Sequence, residues 1–190
     1  MNNTINWHAE NVMGTDVEVG LNKQFNYSVI ENHIANYIIQ RLIYSKAYGQ
    51  ELTIYFEHGC DAEIGIVKML IDEMNKYKEQ GVLINTRATG TLGSGTSLLF
   101  LNGSVGKREM APNAKLVLDG VTVEDFSGNI IEFKEKIKEI QEDNSFIIKT
   151  VKENLQDKIL INRIEKAIHH GDTIKITAQN LYEKNEVVII

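Results

Sequence analysis

Apolar residues recur at helical spacing from Ile30 to Tyr44, where Ile30, Ile34, Tyr37, Ile38, Leu42 and Ile43 fall on one face and predict an amphipathic helix. Thr53 to Phe56 reads as a strand entering the polar turn Glu57-His58-Gly59-Cys60-Asp61. A second helix follows, with Ile64, Val67, Leu70, Ile71, Met74 and Tyr77 every three or four residues, an i,i+4 ion pair expected from Lys68 to Asp72, and Gly81 at its end. Val82 to Thr86 predicts the next strand, and Gly90-Thr91-Leu92-Gly93-Ser94-Gly95-Thr96 then leads into the apolar Leu98-Leu99-Phe100-Leu101. Gly106-Lys107-Arg108 and Pro112-Asn113 read as turns flanking a strand at Lys115 to Leu118. A long charged helix is predicted from about 128 to 155, then a helix at Ile159 to Ile168 and strands near Thr173 to Ile176 and Glu186 to Ile190. Strands alternating with helices predict an α/β fold.

Composition narrows the classes of function. The 190 residues suit a single domain spanning 1–190, and no internal repeat or linker is legible. Twenty basic against 26 acidic side chains leave a net charge of −6, which argues against nucleic acid as a partner, because phosphate binding needs clustered Lys and Arg. No apolar run reaches membrane-spanning length and Met1 to Asn6 is polar, so a cytoplasmic protein with no membrane partner is expected. The lone cysteine, Cys60, excludes an intrachain disulfide and any multi-cysteine zinc site. No spacing of Asp and Glu suggests a metal site, and no cofactor is expected.

Gly93-Ser94-Gly95 admits three readings. The glycines can let a turn and a buried helix pack closely. A phosphate cradle is a second reading, although the full Gly-x-x-x-x-Gly-Lys-Ser/Thr pattern is missing. The third is a nucleophilic serine at a helix N-terminus, where a following N–H helps hold an oxyanion.

The segment from Gly93 through Lys115 resembles the active-site region of the ClpP family of caseinolytic serine peptidases. That family carries Ala-Ser-Met-Gly-Ala, an apolar helix, Gly-x-x-Gly-Lys-Arg and Leu-Pro-Asn-Ser-Arg at the same spacing, and Pro112 falls on its proline. Val29-Ile30-Glu31-Asn32-His33-Ile34-Ala35-Asn36 is similar to its Val-x-Asp-x-x-Ala-Asn helix start. The resemblance implies a crotonase-type spiral of βαβ units with a projecting handle helix, here about 128–155. It also implies heptameric rings that stack through the handles and enclose a Ser-His-Asp triad fed by a Clp ATPase.

Carried over residue by residue, the resemblance puts Ser94 on the nucleophile and Gly95 on an oxyanion-hole N–H. Asp61 and Ala62 fall in the other half of that hole, where the family has Ser-Pro-Gly-Gly and this chain has His58-Gly59-Cys60-Asp61-Ala62. Counting from Pro112 puts Asp119 where the family has its histidine base. Histidine serves there because its pKa of about 6.5 lets it take and return a proton near neutrality, whereas a carboxylate near 3.9 is a far weaker base. Loss of the base costs on the order of 10⁴ to 10⁶ in turnover. For the third member, one count reaches Gly171 and another Thr173, with Asp172 between them.

The leading expectation is therefore a ClpP-like subunit of a barrel-forming family with a degenerate site, a structural or regulatory paralogue that assembles with itself or with an active ClpP. An active serine endopeptidase whose base has moved to His58 or His170 is the alternative, one form of which exchanges the places of His170 and Asp119 around Ser94. A crotonase-type acyl-CoA enzyme ranks below both. His33 matches a family helix position without catalytic duty, His169 reads as facing solvent near a helix C-terminus, and Cys60 reads as a poor nucleophile because Glu57, Asp61 and Glu63 would raise its pKa.

Overall fold

A computed structural model describes residues 16–21, 29–57, 59–122 and 126–190. Its elements run β1 (Asp16–Leu21), β2 (Val29–Ile30), α1 (Asn32–Tyr48), β3 (Glu51–Phe56), β4 (Asp61–Ala62), α2 (Ile64–Glu79), β5 (Ile84–Ala88) and β6 (Thr91–Leu92). They continue with α3 (Ser94–Leu101), β7 (Arg108–Met110), β8 (Lys115–Leu118), α4 (Ile130–Asn154), α5 (Lys158–His170), β9 (Ile174–Thr177), α6 (Ala178–Tyr182) and β10 (Val188–Ile189). This is a mixed α/β fold, as the alternation of strands and helices predicts.

The order hides a repeat that composition does not reveal: a strand, a shorter or comparable second strand, then a helix, four times over from β1 to α4. First strands of successive turns lie side by side in a five-stranded parallel sheet ordered β1-β3-β5-β7-β10. Second strands form separate ladders, β2 with β4 and β6 with β8, the latter extended by antiparallel β9. α1, α2 and α3 thus each start just beyond a second strand, and β8 ends beside the start of α3. Residues about thirty apart in sequence are brought together at those starts, which is how Asp61, Ser94 and Asp119 become neighbours.

The central strands and α3 are apolar because both sides are covered. In β3, Leu52, Thr53, Ile54 and Phe56 are all buried, the continuous run expected of a sheet packed on two faces. Every residue of α3 after Ser94 is buried, so this helix is a core element from its second residue onward. The helix expected from Ile30 to Tyr44 is α1, but it starts at Asn32 and runs on to Tyr48: Ile30 belongs to β2, and Ile43 is half exposed because adjacent Leu42 already points inward. Lys68 of α2 does not need Asp72: it reaches Asp143 of α4 at 2.5 Å and ties the handle to the body.

The predicted handle at 128–155 is α4. Asn129 and Glu132 form a capping box at its start, the Asn129 side chain accepting from the Ile131 and Glu132 N–H groups. At about 1.5 Å per residue its 25 residues span about 37 Å. Residues 130–139 are all exposed, whereas Ile147, Ile148 and Val151 are buried, so the first half projects and the second half packs.

Candidate active site

Ser94 opens α3 behind Gly93, whose extended backbone (φ −70°, ψ 175°) turns the chain from β6 into the helix. The Cys60 carbonyl accepts from both the Gly93 N–H at 2.8 Å and the Thr96 hydroxyl at 2.6 Å, which clamps the 60–62 loop onto this turn. One helical turn on, Ser97 Oγ accepts from the Val117 N–H at 3.1 Å. Ser94 does the same one strand position beyond β8: its Oγ accepts from the Asp119 N–H at 3.2 Å and donates to the Asp119 carbonyl at 3.3 Å. The pair Ser94 and Ser97, on one face of the helix, therefore runs along β8 like two rungs. Ser97, Thr96 and their partners are the residues that motif reading missed, although serines three apart facing a strand are a usable signal.

Of the residues expected to line the oxyanion hole, Gly95 and Ala62 point their N–H groups at one oxygen of the third, Asp61. The Gly95 N–H, which has no partner inside the helix at this position, donates to Asp61 Oδ1 at 2.9 Å. The Ala62 N–H donates to the same oxygen at 2.8 Å. Two main-chain donors and the positive end of α3 thus converge on one carboxylate oxygen. Both glycines of the motif are required by this closure. A Cβ on Gly93 would collide with the Asp61 carboxyl, and one on Gly95 with the Ala62 carbonyl.

Asp119 is half-buried and follows β8 directly. The β8–β9 ladder ends at Leu118 opposite Ile174, one residue before Asp119. Asp172 is exposed, and its N–H caps α5 by donating to the Ala167 carbonyl at 2.8 Å, beside Gly171 in the left-handed conformation (φ +72°). His170 is the exposed last residue of α5, and His169 sits 3.9 Å from Glu165 on the same helix. His33 lies 3.4 Å from Glu31 at the start of α1. His58 lies outside the described residues. Cys60 is buried, and burial first, then the Asp61 and Glu57 charges, push its thiol up to about 12.

A sequence model of the family described as Clp protease matches residues 20–178. The chain belongs to the Clp protease family. No curated protein matches it. Within this Clp protease-family chain, the Gly-Lys-Arg motif belongs to the scaffold. Gly106 takes the turn (φ +76°) and Arg108 is not itself a turn residue but the first residue of β7. Its guanidinium, 2% exposed, donates to the Gly103 carbonyl at 3.1 Å and to the Asn154 carbonyl at 2.6 Å, so it caps the C-terminal end of the handle helix, with Glu186 at 3.9 Å. Next to it, Lys78 donates to Asn102, and burial pulls its ammonium down to about 8. On the far side of the site, Asn144 of the handle accepts from the Val121 N–H at 2.7 Å, two residues after Asp119.

Proposed function

We propose that this Clp protease-family chain is a non-proteolytic subunit, a single domain that takes part in a ring assembly of the cytoplasm as a structural or regulatory member, with copies of itself or with an active relative. The observation that carries the reading is the engagement of Ser94: its hydroxyl exchanges hydrogen bonds with the main chain of Asp119, at the position where the family resemblance calls for a histidine. A serine attacks a carbonyl only when a base accepts its proton as the bond forms. A main-chain carbonyl is not such a base, and a carboxylate near about 3.9 is a poor one. The neighbouring Asp61 carboxylate further opposes the negative charge that a tetrahedral intermediate develops. The projecting, apolar start of α4, with Ile130 and Ile131 exposed, supports assembly as the retained role.

The deciding experiment is hydrolysis of a fluorogenic peptide together with labelling by a fluorophosphonate. The expected result is labelling no faster than that of Ser94→Ala. Rapid labelling of Ser94, lost in Ser94→Ala, overturns the reading.

A further inference from the structure

We infer that the Asp61 carboxylate is a built-in occupant of the oxyanion hole, a fixed internal anion that closes it to a substrate carbonyl. The inference concerns the site of the proposed function and rests on that reading only in calling the donor pair an oxyanion hole. An oxyanion hole is two N–H donors aimed at the place where a carbonyl oxygen acquires charge. Here the Gly95 and Ala62 donors aim at one point, and Asp61 Oδ1 stands at that point, 2.9 and 2.8 Å away.

Three further observations make the contact a built one. The Asp61 side chain bonds the N–H of its own next residue, so the carboxylate folds back over β4 and does not extend into solvent. The turn beneath it has glycine at 93, where any Cβ would collide with the Asp61 carboxyl, and at 95, where a Cβ would collide with the Ala62 carbonyl. The motif that the chain resembles has alanine and methionine at those two positions, so the side chains that would hold the 61–62 loop off the helix are missing together. Finally, the Cys60 carbonyl, bonded by Gly93 and Thr96, fixes the loop one residue before Asp61.

A carboxylate oxygen on these donors resembles the oxyanion of acyl transfer in charge and in hydrogen bonding. Unlike that oxyanion, it is permanent. A substrate carbonyl would have to displace it, giving up two charge-assisted hydrogen bonds before any chemistry began.

Residue-resolved amide hydrogen exchange on the full chain tests this without reference to catalysis. Asp61→Ala removes the acceptor, and Gly93→Ala expels it by collision. In each, the Gly95 amide is expected to exchange about tenfold faster or more than in the wild type, the loss expected for a charged hydrogen bond, with the Ala62 amide following. Glu63→Ala, which removes an exposed neighbouring carboxylate, is expected to leave both amides unchanged. Gly95 exchange within about twofold of the wild type in whichever of the two variants folds overturns the inference. That outcome leaves the non-proteolytic reading intact, because labelling of Ser94 is measured separately on the wild-type protein.

Discussion

Among single residues, Cys60 shows how position silences a reactive group. It lies in the loop that builds the candidate site, one residue before Asp61, yet it is 5% exposed and its thiol is pushed up to about 12 by burial and by the Asp61 and Glu57 charges. Because thiolate is the reactive form, native Cys60 is expected to react with a disulfide reagent at pH 8 about a thousandfold more slowly than an ordinary thiol, and at the ordinary rate after denaturation. A kinetic trace of thiol release, with and without denaturant, checks this. The same shift has a sign for stability. The folded thiol titrates above its ordinary 9.0, so the contribution is complete below that pH and is lost as pH rises through about 12. Urea midpoints of the wild type and Cys60→Ala, compared across that window, should converge on the alkaline side.

At the level of elements, the Lys-Arg pair of the glycine turn separates surface charge from scaffold charge. Lys107 is 41% exposed and pairs with Glu51 at 3.1 Å, an arrangement worth at most about 1 kcal/mol. Arg108 is buried against the end of the handle and against Glu186, so its removal strands buried acceptors. Lys107→Met should therefore shift the urea unfolding free energy by less than about 1 kcal/mol. Arg108→Met should cost about 3–5 kcal/mol.

The sequence carried most of this architecture. Long periodic segments such as α2 and α4 were legible because one face must be apolar along many turns. The two-residue strands β2, β4 and β6 were not, since they are too short to show alternation, and β7 was hidden because its arginine and glutamate read as polar turn residues. The site divided the same way. Ser94, Gly95 and Asp119 were legible through their spacing from Pro112, and Asp61 and Ala62 through the polar turn after β3; hydrogen bonds now link Ser94 to Asp119, and Gly95 and Ala62 to Asp61. The direction of the Asp61 side chain depends on a contact across 34 residues, which no local pattern encodes. Asp172 was reached by counting and His170 lay beside it; the Asp172 N–H caps α5, and His170 is the exposed last residue of that helix.

For the molecule as a whole, the asymmetry of α4 is the feature with a measurable consequence. Its first turns expose Ile130 at 74% and Ile131 at 70%, with the Phe133 ring tilted against that of Phe126 at 5.2 Å, beyond the point where Lys68 and Asp143 fasten the helix to the body. In the proposed ring assembly, charging this tip by Ile131→Asp with Phe133→Asp should lower the mass in light scattering and leave the circular dichroism spectrum unchanged. A mass unaffected by the pair of substitutions would remove the handle from the assembly.

The close approach of Asp61 to Gly93 also couples the two positions. An alanine at 93 and an aspartate folded back at 61 claim the same space. The effect of a change at either position therefore depends on the residue at the other, so Gly93→Ala should cost less in an Asp61→Ala background than in the wild type.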